Sequence, residues 1–246
     1  MSKQKASGFL DTVKTVVYAV LIAVVIRTFA YEPFNIPSGS MIPTLLVGDF
    51  LFVSKFSYGY SQHSLPFSLP LFEGRILASE PKRGDVAVFK LPSDNETDYI
   101  KRIIGLPGDR IQMREGRLYI NDVLVERKWV GNYVVSVGFG LSETAEMYEE
   151  TLPNGETHYI IERSDSAPLD NTRVFVVPPG HYFAMGDNRD NSQDSRTSMV
   201  GFVPAENLVG RAEFIFYSTA ARDANPLEIW KWLPATRVDR LFDAIN

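Results

Sequence analysis

The most constraining feature of this sequence is TVVYAVLIAVVI, Thr15 to Ile26, twelve residues with no charge among them. A helix that is apolar on every side crosses a bilayer, is buried in protein, or is removed as a targeting signal. Twelve residues match a signal-peptide core. Counting on through Arg27 to Tyr31 gives 17 residues, near the short limit for a spanning helix of about 20. Arg27 lies close to one end, where its long side chain can reach the interface instead of sitting at mid-bilayer. Thr28-Phe29-Ala30 offers a small-x-small cleavage pattern, so removal stays open as an alternative to an uncleaved anchor. The context favours the anchor. Lys3, Lys5 and Lys14 put the short N-terminus on the cytoplasmic side by the positive-inside tendency. No second long apolar run follows, so the expected topology is a single pass with the remaining chain on the far side.

Beyond Tyr31 the pattern becomes that of strands. DFLFVSKFSY, GDVAVFKL, DYIKRIIG, RIQMREGRLYIND, HYIIER, RVFVVPPGHYFAMGD and GRAEFIFYS are short β-branched or aromatic runs bounded by Gly, Pro, Asn and Asp. The expected fold class is mainly β: coiled antiparallel sheets or a partly closed barrel behind an N-terminal transmembrane helix. The organisation reads as an anchor over 1–31 and a body from 32–127 and 174–220. An inserted β-ribbon or small subdomain occupies 128–173, and a tail follows over 221–246. Within the body, 56–80 is aromatic and proline-punctuated, either a long loop packed on the sheet or a surface that dips into the bilayer. The tail carries Trp230 and Trp232 and can form a short helix.

Charge and composition exclude several functions. There are 25 basic and 30 acidic residues, net −5, so no basic excess points to nucleic acid. Cysteine is absent, which removes disulfides, thiolate catalysis and Cys-ligated metals.

Three stretches carry chemistry. PSGSM, Pro37 to Met41, is a serine turn that Pro37 and Pro43 keep out of helix and central strand. A serine nucleophile at Ser40 needs a base. The three histidines, His63, His158 and His181, have no evident carboxylate partner and read as surface or turn residues. They also lack metal-binding spacing. In DYIKRIIGLPGD, period 2 puts Lys101 on one face with Tyr99 and Ile103, and Arg102 on the other. Apolar flanks lower a lysine pKa by desolvating the ammonium. The alternative is an edge-strand lysine that reaches out to water. In GDNRDNSQDSR, Gly186 to Arg196, Asp187, Asp190 and Asp194 alternate with Arg189 and Arg196, which reads as a loop braced by its own charges. Counting from Asp187, a calcium loop of the EF-hand type lacks its glycine at position 6 and has Ser198 where Glu belongs.

Taken together and in this order, PSGSMIPTLLVGDFLFVSK, PKRGDVAVF, YIKRIIGLPGD and GDNRDNSQDSRTSMVGFVP resemble the bacterial type I signal peptidases. The resemblance covers much of 36–111 and 180–204 and leaves 128–173 and the tail unmatched. It implies Ser40 as nucleophile and Lys101 as general base, with Ser38 and the Ser40 N–H forming the oxyanion hole. It further implies that Ser192 orients the Lys101 amine and that Asp194 and Arg196 form a supporting ion pair. Ile42 is a candidate lining residue for the substrate pockets. The implied protein is an inner-membrane serine endopeptidase whose partners are preprotein signal peptides and membrane lipid. It requires no cofactor, metal or nucleic acid. The competing readings are a related Ser/Lys processing peptidase with a dedicated substrate, and a non-catalytic membrane-anchored export factor.

Overall fold

The computed structural model describes residues 3–65, 68, 72–138, 141–220 and 234–245. A single long helix, α1 (Lys3–Phe29), opens the chain. Its segment Phe9–Phe29, 21 residues, is long and apolar enough to cross a membrane, and all of it but Thr28 is exposed. Phe9, Leu10 and Val13 extend the apolar surface ahead of Thr15. Asp11 and Lys14, the charges in that stretch, pair with each other one turn apart at 3.8 Å. The exposure excludes the buried-core reading of this segment.

Fourteen strands follow among the described residues: β1 (Tyr31–Asn35), β2 (Asp49–Ser54), β3 (Val86–Lys90), β4 (Asp98–Gly105), β5 (Arg110–Arg114), β6 (Arg117–Ile120), β7 (Val123–Leu124), β8 (Glu126–Gly138), β9 (Leu141–Thr151), β10 (Thr157–Glu162), β11 (Phe175–Val176), β12 (His181–Met185), β13 (Val203–Pro204) and β14 (Leu208–Ser218). The main sheet has seven antiparallel strands in the order β1-β2-β14-β3-β4-β12-β13 and curls into a half-barrel. Its bends coincide with register shifts in β14 and β12, where extra residues tighten the local twist. The strand-rich reading of the sequence is therefore the observed fold class.

Side chains alternate across β4 as a strand requires. Tyr99 and Ile103 join one apolar cluster with Ala87, Phe89 and Ala184, while Ile100 packs against a second cluster around Leu51, Val53 and Val88. A third cluster, around Ile104, Ile111 and Phe183, lies between the main sheet and the four-stranded sheet β11-β5-β6-β7.

The inserted region is a three-stranded antiparallel sheet, β10-β9-β8, that begins at Glu126. It contacts the body through a small cluster in which Val135, Ala145 and Ile161 meet Ile42. The tail returns to the sheet. Ile215 N–H donates to Asp243 O at 2.9 Å, Phe242 N–H to Ile215 O at 2.7 Å and Ile245 N–H to Glu213 O at 2.9 Å. In the described part of the tail, Pro234 and Ala235 are helical and a short 3-10 turn, Val238–Arg240, follows. Trp230 and Trp232 lie outside the described residues. In the 56–80 segment, Tyr58, Ser61, His63 and Ser64 are buried against the body, and Arg75 donates to the carbonyls of Tyr58, Ala205 and Leu208. Phe56, Ile76 and Leu77 are exposed, and residues 66, 67 and 69–71 lie outside the description.

Candidate active site

Ser40 and Lys101 meet, although 61 residues separate them in sequence. Lys101 Nζ donates to Ser40 Oγ at 2.8 Å and to the Ile100 carbonyl at 2.8 Å. β4 pairs with β3 from Asp98 to Arg102 and with β12 from Arg102 to Gly105, so Lys101 lies where the second pairing ends and the cleft begins. It is 3% exposed, and its amine lies 5.3 Å from the centre of the Tyr99 ring. Burial strips hydration from the ammonium and pushes the pKa down to about 8, against the opposing pull of Asp194 and Asp187. The expected pairing of Lys101 with Tyr99 and Ile103 on one apolar face is what desolvates it.

The serine turn is held by the loop after β12. Asn188 N–H donates to the Ser40 carbonyl at 3.1 Å, and Asn188 Nδ2 to the Gly39 carbonyl at 2.9 Å. Gly186 makes this approach possible. A Cβ there would sit 2.5 Å from the Ser40 carbonyl oxygen and closer still to Ser192 Oγ. Gly39, by contrast, needs no left-handed conformation. Ser38 Oγ lies 3.5 Å from Ser40 Oγ, and the Ser40 N–H donates to no other described residue. Both donors face a cleft of about 610 Å³ lined by Pro37–Ser40, Thr97–Lys101 and Asp190–Gln193.

Buried charges fasten these segments together. Arg102 Nε and Nη2 form a two-point contact with Asp187 at 3.0 and 2.8 Å. Asp187 also accepts from Thr44 Oγ1 at 2.6 Å, which joins the segment after Ser40 to the strand carrying Lys101. Burial pushes the Asp187 carboxyl up, but Arg102 outweighs it and holds the pKa below the ordinary value. Asp194 is similar. Burial opposes ionisation, and Arg196, at 2.9 Å to each carboxylate oxygen, overcomes it.

Ser192 lines the cleft, but its Oγ is buried without a hydrogen-bond partner among the described residues, and the amine bonds to Ser40 and Ile100 instead. Ile42 is 7% exposed and packs into the cluster between the body and the ribbon, so it is not among the residues lining this cleft. The surface reading of the histidines holds only for His181, half-buried at the start of β12 with Nδ1 3.0 Å from the Pro179 carbonyl. His63 and His158 are buried. His158 lies 3.4 Å from Glu150 and 3.9 Å from Asp187, carboxylates that sequence separation concealed. Burial and then the Arg102 charge push its pKa down to about 4, despite both acids. No histidine hydrogen-bonds to Ser40 among the described residues.

Sequence reasoning missed Asn188 as the brace of the serine turn, and Glu150, which pairs with Arg189 of the charged loop at 2.5 Å. The local signal for Asn188 was its place two residues after Gly186, between Asp187 and Arg189.

Residues 9–217 match the family described as "Signal peptidase, peptidase S26". Signal peptidase I of Rickettsia typhi is 44% identical over 241 residues, covering 92% of this chain and 89% of its own. Signal peptidase I of Rickettsia canadensis is 44% identical over 248 residues, covering 93% and 91%. A solved signal peptidase I from Enterococcus faecalis is 26% identical, covers 54% of this chain and 97% of its own, and superposes with a TM-score of 0.31. The assignment rests on the sequence matches. The chain belongs to the signal peptidase family, peptidase S26.

Proposed function

We propose that this protein is a membrane-anchored serine endopeptidase that removes signal peptides from preproteins, with Ser40 as nucleophile and Lys101 as its base. The observation that carries the reading is the 2.8 Å contact between Ser40 Oγ and a buried lysine amine whose pKa is lowered to about 8. Near neutral pH a useful fraction of that amine is unprotonated, and the hydrogen bond then reverses so that the serine hydroxyl donates to Nζ. As Oγ attacks the scissile carbonyl, Lys101 takes its proton. The oxyanion that forms is stabilised by the Ser40 N–H and the Ser38 hydroxyl. The ammonium then protonates the leaving amine, and Lys101 in turn activates the water that clears the acyl-enzyme.

Asn188 and the Arg102–Asp187–Thr44 contact keep the turn and the strand in register, a supporting role. Asp194 and Arg196 brace the loop behind Lys101. Ser192, whose buried hydroxyl has no partner among the described residues and which lines the same cleft as Lys101, would orient the amine once substrate enters. The apolar helix anchors the chain. The lysines preceding it favour a cytoplasmic N-terminus and a catalytic body on the outer face of the inner membrane, where the aromatic residues near the helix end meet lipid.

The test uses purified wild type, Ser40→Ala and Lys101→Ala with a preprotein substrate. Each variant is expected to lose at least about 10²–10⁴-fold in kcat/KM. A variant that cleaves at the wild-type rate refutes the Ser/Lys assignment.

A further inference from the structure

At one wall of the catalytic cleft, where Asp190 lies, three carboxylates converge from separate segments. Glu162 ends β10, Asp170 lies in the loop towards β11, and Asp190 follows β12; ligand oxygens of the three lie within 4.8 Å of one another. Glu162 is 2% exposed and Asp170 is fully buried. One oxygen of each is already engaged. Glu162 Oε2 accepts from Arg127, Asp170 Oδ2 from the Ala167 N–H, and Asp190 Oδ2 from the N–H groups of Arg163 and Ser164 at 2.6 and 3.1 Å. The other three, Glu162 Oε1, Asp170 Oδ1 and Asp190 Oδ1, are buried and accept no hydrogen bond from any described residue.

Space is kept for these oxygens. A Cβ on Gly116 would lie 2.9 Å from Glu162 Oε1 and 2.7 Å from Asp165 Oδ1, and Gly116 also adopts a positive φ that side chains avoid. Counter-charge is short. Arg127 is shared between Glu162 and Asp165, and neither Asp170 nor Asp190 has an ion-pair partner among the described residues. Arg189 and Arg196 pair with Glu150 and Asp194, and their charges reach Glu162 and Asp170 without an ion-pair contact. A buried carboxylate oxygen without a donor costs about 1–3 kcal/mol, and more when charged. One water donates two hydrogens and cannot satisfy three such acceptors. A cation can.

We infer that Glu162, Asp170 and Asp190 bind a hard divalent cation of the calcium type. Calcium takes oxygen ligands at roughly 2.3–2.6 Å in flexible geometry, so ligands on opposite sides of one ion stand about 4.8 Å apart. Its two charges offset the two carboxylates that lack a partner. Magnesium demands a near-ideal octahedron and holds its waters, a poorer match to three side chains already fixed by backbone donors. The site departs from the metal-free expectation because its donors come from three segments and leave no motif in the sequence. Asp190 is followed by Asn191 and Ser192 in the cleft wall, so the ion would tie that wall to the end of the ribbon.

The test takes the full chain in detergent micelles, stripped with EDTA, and measures calcium binding by equilibrium dialysis and thermal unfolding with and without calcium. The expected result is one calcium per chain with an affinity between about 10⁻⁶ and 10⁻³ M. The melting temperature should rise by roughly 5–10 °C at a hundredfold excess over Kd. Asp170→Asn, isosteric and still able to accept from Ala167, should weaken binding at least tenfold and abolish the calcium-dependent shift. If that variant does not fold, Glu162→Gln carries the same comparison. No binding at several millimolar calcium overturns the proposal, as does undiminished affinity in a folded variant. Equal affinity for magnesium overturns the assignment to calcium.

Discussion

Replacing Lys101 by Met should make the protein more stable at neutral pH and less stable in strong base. Lys101 carries a pKa of about 8 in the folded chain against 10.5 when unperturbed. The folded state therefore binds fewer protons than the unfolded state between those values, and wild-type stability rises with pH across that window. Below it the buried ammonium costs about 3 kcal/mol, at 1.36 kcal/mol per pKa unit. Methionine fills a similar volume without a charge, but leaves the Ile100 carbonyl without its donor, a loss of about 1 kcal/mol.

The net expectation is a gain of about 2 kcal/mol near pH 7, which shifts the melting temperature by roughly 4–8 °C for a chain of this size. Near pH 10.5 the wild-type amine is neutral without penalty, and the variant should melt a few degrees lower than wild type. Paired thermal-unfolding scans of wild type and Lys101→Met across this range are the assay. Other groups titrate in both proteins, so the difference isolates Lys101. A difference that does not change with pH, or a wild type that is the more stable protein at neutral pH, refutes the reasoning.

Wild-type kcat/KM should rise tenfold per pH unit and level off near pH 8, because the unprotonated amine is the active form; a limb centred above pH 10 contradicts this. Ser38→Ala should lower kcat by about 10²–10³ with little change in KM, the signature of a donor that acts in the transition state. Gly186→Ala forces a methyl against the Ser40 carbonyl and Ser192, so its activity should fall well below its loss of stability, compared by peptidase assay and melting temperature. Arg102→Ala leaves Asp187 buried and unpaired, at a cost of about 3–5 kcal/mol measured by chemical denaturation; a loss under about 1 kcal/mol would show that Asp187 takes up a proton or finds another partner.

The sequence made the anchor, the fold class and the two central residues legible because each has a local signature. An apolar run, period-2 alternation and a lysine between Tyr99 and Ile103 can be read within about ten residues. What remained hidden was set by topology. Lys101 reads equally well as an edge-strand residue that reaches water until the serine turn is folded over it and leaves it 3% exposed. His158 reads as polar surface in an irregular insertion until β10 brings it beside Glu150, and the GDN loop brings Asp187. Ile42 sits two residues from Ser40, yet the turn directs it into the cluster with Val135 and Ile161, away from the cleft. The tail gives no strand signal, and its pairing with β14 depends on hydrogen bonds made by the backbone, which any residue can provide.

These long-range contacts explain how a lysine can be a base beside so much acid. Asp194 and Asp187 each raise the Lys101 pKa, and desolvation outweighs them. Each carboxylate is clamped at two points by a guanidinium, Arg196 on Asp194 and Arg102 on Asp187, so Lys101 sees two near-neutral pairs rather than two charges. Desolvation then decides the pKa. The arginines that look like scaffolding in the sequence therefore keep the two carboxylates fixed beside the amine. Arg102 does so from the opposite face of the same strand, one residue from the proposed base.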